Sequence, residues 1–533
     1  MSSEAAHLPA SNLPMWDVGD LPEPPRFRWR NWPALIGPGL VMTGIQIGGG
    51  EWLFGPEITA KYGGGLMWVA TVAILLQVFY NLECARYALY CGEPVLSGFM
   101  RLPLGPRFWI GFVLLLNLNA LIPGLSTHGA AILASLFLDR PPGEADRGLV
   151  TMLAYACLFG VAMPVLIGGK VYNVLQVVMT VKVFVVLGFC LVIGLVFVSW
   201  TNWWAVLSGF GKFGNVPVTD PVAGETVTNA FGYYFENGAW PLVSLANIAI
   251  VGAFAGYAGG GGLSNSTYSN FVRDKGWGMG SKVGAIPSAV GGHDIKLSHT
   301  GMVFPPTPEN LRRWKGWWNT ILRDQFIIWA PGCFLGMALP ALISLEFAPY
   351  SELGHAAAKT EWSQALITAD GLRHAPMYGP SMANLLWVIA LFAGMMVMLP
   401  SQMAIVDDFS RRWTDAIWTS NKRIRGRWKP HQVKYIYYSI LSFYVLWSFG
   451  CAYVFSNYGS PKLMTIVIAN LNNLAIGATA FLLLWINLKF LPKPLRPRWY
   501  HRVGIILCGV FYLGLAVLVF IEKQWPMIQK YFN

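Results

Sequence analysis

Charge is scarce in this chain. Only 12% of its 533 residues are Asp, Glu, Lys or Arg, while 55% are hydrophobic; soluble domains carry about 25% charged residues. That deficit excludes an ordinary water-soluble domain. Cysteine is sparse as well: Cys84, Cys91, Cys157, Cys190, Cys333, Cys451 and Cys508 are scattered with no CxxC pair, which argues against a disulfide framework or a zinc site. No HExxH and no pair of acidic residues in facing spans is present, so an intramembrane enzyme is not indicated and no cofactor is implied. Residues 1–25 hold Pro, Asp and Glu without the apolar core of a cleavable signal peptide. They read as a disordered cytoplasmic lead-in within an N-terminal segment 1–33.

What is abundant is apolar length. Eleven spans can cross about 30 Å of hydrocarbon: 34–60, 66–90, 108–138, 149–167, 174–200, 241–271, 321–347, 382–407, 435–455, 463–488 and 503–521. The expected fold class is an all-α integral membrane protein of the plasma (inner) membrane. With the N-terminus cytoplasmic, the inner segments carry about 28 of the 38 basic residues, and the C-terminus lies outside. The net charge of +12 then reflects positive-inside bias and contact with anionic lipid, not a nucleic-acid partner.

Two glycine runs interrupt this pattern. Gly48-Gly49-Gly50 precedes Glu51 in the first span, and Gly259-Gly260-Gly261-Gly262 precedes Ser264 and Asn265 in the sixth. Each glycine costs a helix about 1 kcal/mol relative to alanine. Glycine-interrupted spans in corresponding positions of two halves point to a transporter's substrate site. Since five spans separate the runs, the sixth enters the membrane from the side opposite the first. The pattern predicts two five-helix repeats in inverted topology, 34–200 and 241–490, joined by an extracytoplasmic loop 201–240. An eleventh helix and tail, 491–533, would be an appendage. The alternative is that the glycines only permit close helix packing.

Gly37-Pro38-Gly39 through Ala60-Lys61-Tyr62-Gly63, Leu66-Met67-Trp68-Val69, Leu76-Gln77 and the segment Asn265 to Lys275 resemble helices 1, 2 and 6 of Nramp divalent-metal transporters. That resemblance implies a leucine-transporter-like fold with helices 1 and 6 unwound, and secondary-active transport of a divalent metal, usually with protons. The chain departs from the family where the family binds metal. Gly48-Gly49-Gly50-Glu51 stands in place of Asp-Pro-Gly-Asn, and Gly262-Leu263-Ser264 in place of Met-Pro-His. The acidic pair of the family's third helix has no clear counterpart. Without the thioether, selection of soft metals is lost. A second resemblance runs from Gly44 to Trp52, Gly169 to Asn173 and Thr180 to Lys182. These segments are similar to amino acid–polyamine–organocation transporters, whose helix-1 backbone N–H groups hold a substrate carboxylate.

The candidate substrate-binding residues are therefore Gly48, Gly49, Gly50, Glu51, Gly259 to Gly262, Ser264, Asn265 and Asn470. Glu51 is the candidate metal ligand, because a mid-span carboxylate is functional by default; its alternative is a structural pairing with Lys182. Lys182 and His128 are the candidate coupling groups, with H+ the coupling ion. Asn470, Asn472 and Asn473 serve either the site or helix packing. Asp407 and Asp408, just before Arg411 and Arg412, read as interfacial ion pairs closing the eighth span, and Trp314 to Trp318 as an interfacial amphipathic segment. The solute is expected to be a small cation, a hard divalent ion such as Mg2+ or Mn2+. A small amino acid or organic amine is the alternative, and a non-transporting sensor a minor one.

Overall fold

The computed structural model describes residues 13–26, 37–167, 169–220, 224–355, 362–458, 461–526 and 529. Among them, nine helical stretches are long and apolar enough to cross a bilayer, and the chain is an integral membrane protein. The first expected span is divided into α1 (Pro38–Gln46), a π-helical turn (Gly50–Phe54) and α2 (Gly55–Tyr62). Then come α3 (Trp68–Cys91), α4 (Gly105–Leu116), α5 (Gly124–Leu138), α6 (Arg147–Ala162) and α7 (Val171–Phe197). The sixth span is divided into α8 (Ile248–Tyr257), a 3-10 turn (Gly262–Thr267) and α9 (Tyr268–Lys275). It is followed by α10 (Pro308–Arg323), α11 (Ala330–Phe347), α12 (Pro380–Ser420), α13 (Val433–Tyr458), α14 (Pro461–Phe490) and α15 (Trp499–Val519).

Small residues bring the interrupted helices against their neighbours. A methyl group on Gly252 would lie 2.6 Å from the Asn470 side-chain oxygen, and one on Gly256 2.5 Å from the Ala469 carbonyl. At that separation α14 reaches the α8 backbone: Asn470 donates to the Ala249 carbonyl at 3.2 Å and Asn473 to the Gly252 carbonyl at 2.9 Å. Gly44 of α1 packs in the same manner on Met179 of α7. Interhelical approach through glycine, sealed by side-chain amides, is how helices associate where no hydrophobic force separates lipid from protein.

Outside the helices lie four short strands, β1 (Asp17–Val18), β2 (Asn215–Asp220), β3 (Gly224–Asn229) and β4 (Met302–Val303), with β1 parallel to β4 and β2 antiparallel to β3. The β1 pairing corrects the expectation of a disordered lead-in for residues 13–25, which with Arg26 form an ordered strap; residues 1–12 lie outside the described residues. Leu21 is fully buried, its N–H donates to Asn310 at 3.1 Å, and Arg313 and Trp317 donate to the Leu21 and Pro22 carbonyls at 2.8 Å. The Arg101 guanidinium stacks 4.6 Å from the Trp16 ring. A segment too polar to form its own core is ordered here by docking. It also covers part of α10, so Trp314 and Trp317 are buried instead of facing a membrane interface.

On the other face, the β2–β3 hairpin ties together the outer ends of both interrupted helices. Glu225 accepts from Lys61 at 2.7 Å and Tyr62 at 2.8 Å, at the end of α2, and from Ser244 at 2.5 Å and Asn247 at the start of α8. Burial by itself would raise this carboxyl; the bonds from Lys61, Ser244 and Tyr62 and the Lys61 charge outweigh it and hold the pKa down at about 2. A carboxyl depressed from 4.5 contributes stability that is full above its ordinary value and lost as pH falls through the folded one. Glu225→Gln should therefore cost about 1–3 kcal/mol at neutral pH and make melting less sensitive to acid between pH 4.5 and 2 than in the wild-type chain. Thermal melts of both proteins across that window check this, and parallel pH profiles would refute it.

Candidate functional site

The first break is narrower and earlier than the glycine run suggests. Helix α1 ends at Gln46, Ile47 swings to ψ 83°, and Gly48 bends. Gly49 is already right-handed helical (φ −63°, ψ −30°), and Gly50 and Glu51 belong to the π turn. The unwound stretch is thus Ile47–Gly48, not Gly48–Gly50. Glu51 itself explains the economy of the break: its Oε2 accepts the Gly48 N–H at 2.9 Å, supplying within one turn the acceptor that the helix has lost. The side chain is 1% exposed, and its Oε1 has no partner among the described residues. Lys182 donates to Ser401 at 2.5 Å, and Ser401 Oγ lies 3.3 and 3.4 Å from the Ile45 and Ile47 carbonyls. No Glu51–Lys182 ion pair forms within 4.0 Å, although the two charges are close enough to act on one another.

The second break is wide. Ala258 leaves the helix at ψ 106°, and Gly259 (φ +88°) and Gly262 (φ +58°) adopt left-handed conformations that suit glycine. The freed backbone is held from another helix. Gln77 of α3 donates to the Ala258 carbonyl at 2.8 Å and accepts from Gly260 N–H at 2.6 Å and from Asn265 at 2.9 Å. Its amide also bonds Tyr512 of α15 at 2.5 Å. The eleventh span is consequently no appendage, since it braces the sixth.

Between the breaks lies a cavity of about 70 Å³, room for an ion with a few waters or a solute of several heavy atoms. Gly48, Gly49, Gly259, Gly261 and Ser264 stand on its wall; Gly50, Glu51, Gly260, Gly262, Asn265, Asn470, Lys182 and His128 do not line it. His128 is buried, its Nδ1 2.9 Å from the Gly124 carbonyl. Asn470 holds α8, as described above. Other wall residues escaped the sequence reading. Asn117 and Asn119 come from a third interruption, between α4 and α5, for which Pro123-Gly124 was the only signal. Asn119 bonds Asn472 of α14, also on the wall.

Asp408 is the one charged residue among those lining the cavity. It bonds Arg412 at 2.6 Å and Thr267, and Arg412 in turn donates to the Leu263 carbonyl at 2.9 Å and to Asn117. Below, Arg411 joins Asp407 and Asp274, and Arg273 joins Asp274 and Asp415 at 2.8 and 2.7 Å. All of these side chains are buried, and α12 runs on to Ser420. This corrects the interfacial expectation for Asp407 and Asp408: four acids and three arginines pair in one buried network between α9 and α12, so the helix stays buried past the point where charge begins. Among the described residues, no group of three or more His, Cys, Asp and Glu side chains is placed to hold a metal.

No family profile matches the sequence, and no curated protein matches it. Solved structures do match. A single-substitution mutant of the Eremococcus coleocola manganese transporter superposes with a TM-score of 0.60 at 13% identity, covering 97% of this chain and 93% of that one. The same transporter in complex with an aromatic bis-isothiourea substituted compound gives 0.59 at 13% identity over the same shares, and a second mutant gives 0.59 at 14%. The chain therefore has the leucine-transporter-like fold that the Nramp resemblance implied.

Gly260 packs tightly between its own segment and the end of α1. A methyl group there would overlap Asn265 Oδ1 and Gln46 Nε2. Gly260→Ala should distort both breaks and abolish solute binding, whereas Gly111→Ala, which meets nothing within 4 Å, should leave it unchanged. Thermal-shift titration of the two variants with Mn2+ and with amino acids distinguishes them; equal responses would show that the breaks do not build the site.

Proposed function

We propose that this protein is a secondary-active transporter that moves a small polar solute through the cavity between its two interrupted helices. The observation that carries this reading is the convergence of Gly48, Gly49, Gly259 and Gly261 on one small cavity, with a buried charge network beneath it between α9 and α12. Unwound backbone facing a cavity at membrane depth is tolerated where it binds or conducts a solute.

The solute we favour is a hard divalent cation, Mg2+ or Mn2+. The wall offers the oxygens of Ser264, Ser401, Asn119 and Asp408 beside the glycine backbone, with no thioether, thiol or imidazole. Hard cations that keep part of their water shell need little more. The solved transporters with this fold are described as manganese transporters. Glu51, buried behind the break with one free oxygen, is the acid on which a cation or a coupling proton acts, with Lys182 and His128 as the accompanying groups.

One observation favours an amino acid instead. The Trp329 indole and the Arg412 guanidinium can only donate, and they occupy the side-chain oxygens of Gln46 and Asn117. The free ends of these two wall residues are therefore N–H donors, which suit a carboxylate and not a cation.

Uptake into proteoliposomes decides between the readings. Saturable Mn2+ or Mg2+ uptake that Cd2+ inhibits roughly tenfold less well than Mn2+ does is expected for an oxygen-only site; amino acid counterflow without metal uptake would establish the alternative. Glu51→Gln preserves an acceptor for Gly48 N–H while removing the charge. It should lower metal uptake at least tenfold, or abolish its pH dependence, without changing the melting temperature. Unchanged uptake with unchanged pH dependence would leave Glu51 as a structural cap alone.

A further inference from the structure

The net charge of +12 is not spread along the chain. Between Ala416 and Ile521 stand twelve Lys and Arg residues and no Asp or Glu, while the remainder of the chain holds 26 basic and 26 acidic residues and is balanced. Eleven of the twelve fall in two clusters at helix ends, Lys422 to Lys434 between α12 and α13, and Lys489 to Arg502 between α14 and α15.

Neither cluster is arranged for ion pairing. Among the described residues, no carboxylate lies within 4.0 Å of any of these eleven cations. Where they bond, they bond backbone: Arg425 to the Thr419 carbonyl, Arg496 to Leu491 at 2.9 Å and Arg502 to Pro497 at 2.9 Å. Lys422, Arg423, Arg427, Lys493, Arg498 and Arg502 are exposed. Trp499 and Tyr500, between two of these arginines at the start of α15, are 74% and 41% exposed. The clusters flank the docked strap. Trp16 packs 5.8 Å from Phe490 on one side and under Arg101 on the other, and Arg101 lies within the field of Arg425.

We propose that the two clusters form a binding surface for anionic phospholipid headgroups. Unpaired cations at the ends of membrane-spanning helices stand at headgroup depth, and exposed Trp and Tyr beside them are the side chains that anchor a helix in that layer. Each basic residue near an anionic surface strengthens attachment by roughly fivefold. A phosphodiester supplies the counter-charge that the protein withholds from these residues while balancing its charge everywhere else.

Native mass spectrometry of the full chain in neutral detergent, titrated separately with phosphatidylglycerol and phosphatidylcholine, tests this. The wild-type chain should retain phosphatidylglycerol at least tenfold better than phosphatidylcholine. Replacing Lys422, Arg423, Arg427, Lys493, Arg498 and Arg502 by Gln should erase the preference, whereas Gln at Arg140, Lys212 and Arg373, at the opposite end of the bundle, should preserve it. Thermal melting confirms that each variant is folded. Equal retention of both lipids by the wild-type chain, or an unchanged preference in the six-residue variant, would overturn the proposal. Lipid retention is read without flux, so the result stands apart from the transport reading.

Discussion

Hydrocarbon offers no partner to a free N–H or C=O, and every irregularity in this fold is shaped by that constraint. A helix interrupted at membrane depth strands backbone groups on both sides of the gap, so each interruption comes with side chains that take them up. At the first, the work falls to Glu51, three residues from the amide it caps. At the second it falls to Gln77, which bonds a carbonyl and an amide on either side of Gly259. Near the third, Arg412 reaches the Leu263 carbonyl and the Asn117 side chain together.

The breaks differ in how they are held, and the difference has consequences for motion. The Glu51 cap lies within one turn of the amide it serves, and Ser401 of α12 meets the Ile45 and Ile47 carbonyls. The second break is bonded to α3 and, through Tyr512, to α15, so changing its shape requires moving against two other helices. The hairpin carboxylate Glu225 adds a link between the outer parts of both spans. The two interrupted spans are thus joined to one another at Glu225, and α9 is joined to α12 by buried ion pairs.

Those ion pairs also show how charge is rationed. Removing Arg273, Arg411 and Arg412 from water is costly, and the cost is met only because each finds carboxylates and further hydrogen bonds. Breaking one partner would strand its mate in the interior. The cations of the α12–α13 and α14–α15 connections, by contrast, have no carboxylate partner among the described residues, and most of them are exposed.

Apolar length, scarcity of charge and two glycine runs were enough to determine an all-helical membrane protein with interrupted helices at both glycine runs, because each of these depends on local composition and on a helix's intolerance of consecutive glycines. They also placed five of the glycine and serine residues on the cavity wall. What the sequence could not settle was everything decided between elements. Gly50 is helical because Glu51 folds back on Gly48, a choice among rotamers. Asp407 and Asp408 are buried because Arg411 and Arg412, one turn on, pair with them while Asp274 and Thr267 of the sixth span join the same network. Gln77, noted in the sequence only as part of the helix-2 resemblance, and Tyr512, in an apolar stretch, meet the second break only when three helices assemble. Pairing partners far apart in the chain leave no periodic trace in either segment, so only the tertiary structure could reveal them.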